Sequence, residues 1–203
     1  MIILKIEYNK NMFDLITKSK IRKNILLLFV YNSEKEYYVN EVARLMKTSS
    51  GTAARELEKL VRGGFLKKEK KANRAYFAVD DGSNVARDIR NIVDKTIGLE
   101  HILKKELHGV GGMCFSFLFG SYANGGMKAD SDIDLYVIGN VDEDDLHTRA
   151  VNAERYAHRE INYHIATLDE FKEKLKTSFF HKKVVENYIL LFGDESEFRK
   201  LVK

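Results

Sequence analysis

The chain has 203 residues, of which 44% are hydrophobic, and its formal net charge is +4. This length allows one large domain or two small ones, and the composition is that of a protein with a buried core. No apolar run approaches the roughly 20 residues that a membrane span needs, so we expect no membrane partner.

The charge is distributed unevenly along the chain. Residues 1–100 carry 20 Lys and Arg against 13 Asp and Glu, whereas residues 101–203 carry 14 against 17. A basic half and an acidic half indicate two domains, the first suited to a polyanion and the second to a metal. The start MIILKIEYNK has no secretion-signal pattern, and the single cysteine, Cys114, lies in an apolar run. We therefore expect a buried thiol and a cytoplasmic protein.

The N-terminal half follows the order helix, short helix, tight turn, helix and basic hairpin. Its apolar residues recur first at helical spacing and then in two short strand-like runs separated by a turn. Asn40 and Ser50 are the predicted N-caps of the second and third helices. The predicted elements are helices over 19–31, 41–46 and 50–62 and strands near 65–69 and 75–79.

This order resembles the winged helix-turn-helix family over about residues 15–80, and we assign residues 12–82 to such a domain. The resemblance implies that the helix near 50–62 enters a DNA major groove and that the hairpin, the wing, contacts the DNA beside it. Hydroxyl groups suit phosphates, and a long basic side chain reaches a base edge. The candidate residues for binding double-stranded DNA are Ser49, Ser50, Thr52, Arg55, Lys67, Lys68, Lys70, Lys71 and Arg74. The alternatives are a protein-binding winged helix and a hairpin whose lysines are only solvated.

Residues 83–107 are predicted to form one connecting helix with an apolar seam. The seam residues, at alternating intervals of four and three, are Val85, Ile89, Ile92, Thr96, Leu99 and Leu103. Such a seam pairs two helices, so we expect a homodimer. The alternative is that the helix packs on its own two domains, where Ile97 and Ile102 widen the stripe.

The candidate chemistry lies in FLFGSYANGGMKADSDIDLYVIG, residues 117–139. A buried strand ends at Gly120 and Ser121, where unpaired backbone N–H groups at a strand-to-helix turn suit a phosphate. Asp132 and Asp134 follow as alternate residues of the next strand and therefore share a face with Tyr136, away from the core. Two adjacent carboxylates near a phosphate cradle suit Mg²⁺, which binds through one or two carboxylates plus substrate phosphates.

The segment GSYANGGMKADSDIDLYV resembles the signature of the DNA polymerase beta-type nucleotidyltransferases, especially the small prokaryotic minimal ones. The likeness covers about residues 100–203 and implies an α/β domain with a mixed sheet, which we assign to residues 108–203. It also implies two Mg²⁺ ions and a nucleoside triphosphate, ATP above all, as donor or ligand. Gly120 and Ser121 would hold the triphosphate, and Asp132 and Asp134 the metals. The expected class of the whole chain is therefore α+β, a winged helix-turn-helix followed by a nucleotidyltransferase domain.

The family uses a third carboxylate on a later strand, and Asn162 in REINYHIATL occupies the position aligned with it. Asparagine carries no negative charge and does not accept a proton usefully. Glu160 is on the same predicted face and could substitute, whereas His164 is either a base or a hydrogen-bonding bystander. The candidate catalytic residues are Asp132, Asp134, Glu160 and Asn162.

Two functions fit these residues. The first is Mg²⁺-dependent transfer of a nucleoside monophosphate from a triphosphate to a hydroxyl acceptor. Minimal nucleotidyltransferases often accompany HEPN-domain toxins, so by analogy the acceptor could be a toxin-like protein. The second is a DNA-binding transcriptional regulator whose nucleotidyltransferase domain senses nucleotide without turnover. The aspartate pair favours the first function and Asn162 favours the second.

Overall fold

The computed structural model describes residues 13–126 and 131–203. The start MIILKIEYNK and residue 12, the first of the predicted winged-helix domain, lie outside the described residues. The chain divides into two compact units, one reaching to His101 and including Tyr156–His158, the other comprising Ile102–Arg155 and Arg159–Lys203. The predicted α+β class with a mixed sheet is confirmed. Within the described ranges, no helix has the length and apolar character needed to cross a lipid bilayer.

The first unit packs helices on a three-stranded antiparallel sheet with the strand order β1-β3-β2. Its elements are α1 (Lys20–Tyr31), β1 (Tyr37–Tyr38), α2 (Val39–Leu45), α3 (Ser50–Arg62), β2 (Leu66–Lys71), β3 (Arg74–Val79) and α4 (Asn84–Thr96). The two-residue strand β1 was not predicted, because a run of two residues gives no periodicity to detect. It adds a third strand beside the predicted hairpin.

Helix α3 is held in place by an apolar stripe and by two partly buried ion pairs of Glu56. Ala53 and Leu57 are fully buried, and Glu56 on the same side accepts hydrogen bonds from Arg22 at 2.7 Å and Lys59 at 2.8 Å. Burial alone would raise the pKa of Glu56, but these two cations bring it below its usual value. The carboxylate of Glu56 therefore forms its ion pairs within the first unit.

Both predicted N-caps in this region are displaced. Ser49, not Ser50, caps α3, and its hydroxyl oxygen accepts the Thr52 N–H at 3.2 Å. Asn40 lies inside α2, whose N-cap Tyr38 makes no side-chain cap. Asn40 instead accepts the Ser50 hydroxyl at 2.8 Å. A contact between the two helices thus replaces the local cap that the sequence favoured.

The predicted continuous helix over residues 83–107 is wrong, because the segment forms two helices, α4 and α5 (Leu99–Leu107). The Leu99 N–H donates to the Tyr31 hydroxyl at 2.6 Å, and that hydroxyl donates to Asp94 at 2.7 Å. A Cβ at Gly98 would overlap both the Tyr31 oxygen and the Asp94 backbone, so glycine is needed at this point. The break between α4 and α5 thus coincides with a contact from a side chain of α1.

The burial along α4 follows the predicted seam only in part. Ala86 and Val93 are buried, whereas the seam residues Val85 and Ile92 are 45% and 38% exposed. Further along, three seam residues are buried: Thr96, Leu99 and Leu103. The homodimer through the seam stays a prediction.

The second unit is built on a four-stranded mixed sheet with the order β6-β5-β4-β7. Strand β5 is parallel to β6 and antiparallel to β4, and β7 is antiparallel to β4. From Met113 onward its elements are β4 (Met113–Phe119), α6 (Gly120–Ala123), β5 (Ile133–Gly139), α7 (Glu143–Ala157), β6 (Ile161–Ala166), α8 (Leu168–Thr177), α9 (Phe179–Val184), β7 (Ile189–Phe192) and α10 (Glu195–Leu201). Thr167 caps α8 in a capping box with Glu170.

Two predictions about burial in this sheet are also wrong. Tyr136 does not face away from the core: it is 1% exposed, and its ring stacks on Phe117 with centroids 5.3 Å apart. Both faces of β5 are covered, so alternation alone could not identify the core face. Cys114 is exposed because it is the extra residue of a β-bulge, between the pairs Met113–Gly139 and Phe115–Ile138.

Candidate functional site

Asp134 and Gly120 meet where β4 ends. Phe119 is the register partner of Asp134, so the turn that follows β4 lies beside the Asp134 side chain. Gly120 has φ +69°, and a Cβ built on it would overlap the Asp134 carboxylate. A glycine is required here for two independent reasons, a left-handed backbone and the close approach of a carboxylate.

Asp132, just before β5, meets Asn162 of the neighbouring strand β6. In the parallel pairing of β5 with β6, Asn162 is in register with Asp134, and its Nδ2 donates to Asp132 Oδ2 at 3.0 Å. Glu160 lies just before β6, where its carbonyl accepts the Ile133 N–H at 2.9 Å and its side chain is exposed. The structure therefore brings all four candidate catalytic residues to one end of two adjacent strands.

The Asp pair carries negative charge that the protein only partly compensates. Burial, and then the nearby Asp132 charge, raise the pKa of Asp134, while His164 acts weakly in the opposite direction. Asp132 receives the Asn162 amide, but an amide supplies no positive charge. A cation between the two carboxylates would relieve this repulsion.

The Asp132 and Asp134 carboxylates suit a Mg²⁺ ion that binds together with a nucleotide. Across residues 13–126 and 131–203, no group of three or more His, Cys, Asp or Glu side chains is placed to hold a metal ion. Two carboxylates alone do not make a closed protein cage. Mg²⁺ commonly completes its shell with water and substrate phosphates, so a pair beside a phosphate-sized turn suits a metal that arrives with its nucleotide.

Residues 114–191 match the family model for the nucleotidyltransferase domain. This range contains β4, the Gly120 turn, the Asp pair and Asn162. Every candidate catalytic residue thus lies within the matched range, which runs from β4 to β7 of the mixed sheet. No curated protein matches the sequence.

Solved structures similar to this chain include two toxin–antitoxin complexes and one regulator. A toxin–antitoxin with AMP-PNP is 19% identical, with 51% of this chain and 80% of that chain covered, at a TM-score of 0.40. The tri-AMPylated HEPN toxin in complex with MNT antitoxin from Shewanella oneidensis is 17% identical, with coverages of 51% and 77% and a TM-score of 0.36. Reduced HlyU from Vibrio cholerae is 17% identical, with coverages of 44% and 88% and a TM-score of 0.33.

Sequence reasoning missed an aromatic cluster beside the Asp pair of the nucleotidyltransferase domain. Beyond Asn162 on β6, the His164 ring stacks on Tyr136 with centroids 5.8 Å apart. The Tyr136 hydroxyl lies 2.9 Å from His181 Nε2 in α9, and burial is the main reason that the pKa of Tyr136 rises to about 12. Burial also lowers the pKa of His181. Because α9 is some 45 residues away in sequence, no local spacing could have pointed to it.

The candidate DNA-binding residues divide between the start of α3 and the wing. At the start of α3, the Ser49 hydroxyl donates to Thr52 Oγ1 at 2.9 Å, and Arg55 Nη2 lies 3.4 Å from the same oxygen. Ser50 is tied to Asn40, as described above. These side chains lie within the first two turns of α3, on the surface of the first unit. The hydroxyls are already linked in a local network, and Arg55 extends from it.

The wing lysines are not equivalent. Lys68 pairs with Glu58 at 2.5 Å, and Lys71 pairs with Glu36 at 2.6 Å. The hydrogen bond that Lys71 donates to the Glu36 carboxylate is the main cause of the raised pKa of Lys71. Lys67 and Lys70 are exposed, and neither forms an ion pair with any residue that the structure describes. Arg74 lies over the Tyr38 ring, 5.1 Å from its centroid.

Proposed function

We propose that this protein is a Mg²⁺-dependent nucleotidyltransferase that also binds DNA through its winged helix. The observation that carries the first part is the convergence of Gly120, Asp132, Asp134 and Asn162 at the ends of adjacent strands. The match of residues 114–191 to the nucleotidyltransferase domain supports the same reading. The reaction proposed is attack of an acceptor hydroxyl on the α-phosphorus of a triphosphate, with cleavage of its bond to the departing pyrophosphate.

Each site residue has a role in this proposal. Gly120 keeps its backbone open, so that the phosphates and the Asp134 carboxylate approach the same turn, and Ser121 adds a hydroxyl donor. Asp132 and Asp134 would hold Mg²⁺, which when bound supplies positive charge against the triphosphate. Asn162 fixes the orientation of Asp132 through its amide hydrogen bond. The proton of the acceptor hydroxyl needs a base, and our candidate is Glu160, whose exposed side chain lies just before β6.

The proposal is tested by pyrophosphate release. The full chain is incubated with Mg²⁺ and each labelled triphosphate in turn, with and without cell lysate, which offers protein, nucleic acid and small-molecule hydroxyls as acceptors. We expect Mg²⁺-dependent pyrophosphate release with at least one triphosphate, ATP first, and label on an acceptor. The same protein in EDTA is the control. If pyrophosphate never exceeds the EDTA level, transferase activity is excluded.

A second function is favoured by Asn162, which places a hydrogen-bond donor where the resemblance expects a carboxylate. In that case the domain binds nucleotide and metal without turnover and reports the bound state to DNA affinity, as a transcriptional regulator would. Nucleotide binding is common to both functions and does not separate them. Absence of pyrophosphate release together with a nucleotide-dependent change in DNA affinity would identify the regulator.

The wing gives a testable expectation for DNA. The double variant Lys67→Ala/Lys70→Ala should weaken binding to all duplexes and reduce the slope of log affinity against log salt by about two units, one for each lost phosphate contact. Lys68 and Lys71 already have carboxylate partners, so the variant Lys68→Ala/Lys71→Ala should reduce the slope less. Fluorescence anisotropy with two unrelated duplexes over a salt series measures both quantities.

The matched control for this experiment is Lys105→Ala, which removes an exposed lysine from α5. It should leave the salt slope unchanged. Equal slopes for the Lys67/Lys70 variant and the wild type would show that the wing does not contact phosphates. A chain that ignores DNA even at low salt would assign the winged helix to another partner.

A further inference from the structure

Three aromatic rings form a shelf on the nucleotidyltransferase domain, which we define as Phe119, His164 and Phe180. The centroids lie 5.9 Å apart for Phe119 and His164, 5.9 Å for Phe119 and Phe180, and 5.3 Å for His164 and Phe180. Phe119 is buried beneath, whereas His164 is exposed and Phe180 is 41% exposed. Two of the three rings therefore offer an aromatic surface to solvent.

The shelf begins at the candidate phosphate site. Phe119 immediately precedes Gly120 and is the register partner of Asp134. His164 stands on the same face of β6 as Asn162, one alternate position further along the strand. Alternate residues of a strand are about 7 Å apart, so His164 lies one such step from the row that contains Asp134 and Asn162. This separation is comparable to the distance between the phosphates and the base of a nucleotide.

The shelf is braced from below, so Phe180 does not depend on a ligand for its position. Tyr136 stacks under His164 and lies 2.9 Å, through its hydroxyl, from His181 Nε2. The His181 ring meets the neighbouring Phe180 ring edge-on, with centroids 5.2 Å apart. The Tyr136–His181 contact thus ties α9 to the sheet and holds Phe180 over Phe119 and His164.

We propose that the shelf binds the nucleobase of the nucleotide whose phosphates occupy the Gly120 turn, with Phe180 and His164 as the stacking residues. This inference rests on the proposed function and specifies how its substrate is held. Stacking on an aromatic surface accepts every base but grows with the size of the π-face, so purine nucleotides should bind more tightly than pyrimidine nucleotides. Stacking on ring faces does not by itself distinguish adenine from guanine, which would need polar contacts to the edge of the base.

The test separates base from phosphates. The full chain with Mg²⁺ is titrated calorimetrically with ATP, with CTP and with inorganic tripolyphosphate, which has no base. Phe180→Ala should weaken ATP binding about 10-fold and leave tripolyphosphate binding unchanged, since stacking on one ring accounts for roughly 5- to 150-fold in affinity. Phe180→Tyr should retain the wild-type affinity for ATP. His164→Ala should weaken ATP in the same selective way.

Phe179→Ala is the matched control. Phe179 is the neighbouring residue of the same helix, is 76% exposed, and lies under the Lys183 ammonium at 5.9 Å from its ring centroid. Its removal should change neither affinity. Unchanged ATP binding in Phe180→Ala, or an equal loss of affinity for ATP and tripolyphosphate, would contradict the assignment of the shelf as the nucleobase site. The proposed function would stay intact. If the wild-type chain binds neither ligand with Mg²⁺, the proposed function fails and the shelf assignment fails with it.

Discussion

Replacing Asp134 with asparagine is expected to abolish Mg²⁺-dependent nucleotide binding. The substitution keeps the size of the side chain beside Gly120 but removes one of the two carboxylates that we assign to the metal. Asp132→Asn should have the same effect, because a single carboxylate and an amide make a weak site for a hard cation. Calorimetric titration with ATP, with Mg²⁺ and with EDTA, measures the loss.

The same Asp134→Asn variant should be more stable than the wild type when metal is absent. Burial and the Asp132 charge raise the pKa of Asp134, so the folded state holds this proton more tightly than the unfolded chain does. Stability is therefore lost as pH rises through the interval between the unfolded and the folded pKa. Asparagine does not titrate, so its advantage should be full at neutral pH and should vanish below the ordinary carboxyl pKa. Thermal unfolding in EDTA over a pH series follows it.

Asp169→Asn is the matched control for both measurements. Asp169 is exposed in α8, and its carboxylate lies 3.7 Å from the Lys172 ammonium. Exposed i,i+3 ion pairs of this kind contribute little to stability. Replacement of Asp169 should change neither nucleotide affinity nor the pH dependence of stability. Retention of Mg²⁺-dependent ATP affinity in both Asp132→Asn and Asp134→Asn would remove the metal assignment.

Converting Asn162 to aspartate is expected to increase any transferase rate by about 10²- to 10⁴-fold. This is the usual contribution of a positioned general base, and the new carboxylate would stand in register with Asp134. The fold should persist because the two side chains are nearly isosteric. The metal-free variant should, however, be less stable, since the amide that now donates to Asp132 becomes a third negative charge. Initial rates of pyrophosphate release measure the gain.

Two further variants decide how this result is interpreted. Asn140→Asp adds the same charge just beyond the opposite end of β5, where it should leave the rate unchanged. Glu160→Gln tests whether Glu160 is already the base, in which case it abolishes activity and Asn162→Asp gains little. Pyrophosphate release from none of the proteins, combined with nucleotide-dependent DNA affinity, would leave the regulator as the function.

The position of the Asp pair could be predicted because it depends on local spacing, and the mixed sheet was implied by the family resemblance that this stretch carries. The alternation around Asp132 and Asp134, and the turn at Gly120, are properties of a single stretch of chain. The errors have tertiary causes: a bulge turns Cys114 outward, and α8, α9 and α10 cover the Tyr136 face that alternation assigned to solvent. The aromatic shelf escaped prediction for the same reason, since α9 brings Phe180 to the sheet from a distant part of the sequence.

The break between α4 and α5 has a consequence for how this chain can be recombined. The Leu99 N–H donates to the hydroxyl of Tyr31, which lies 68 residues upstream. One contact at the break therefore comes from outside the segment that contains the break. Residues 84–107 grafted alone onto another protein would keep Gly98 and the Asp94 backbone beside it but would lose the phenol that accepts from Leu99. A chimera preserves this contact only if it takes Tyr31 together with the segment.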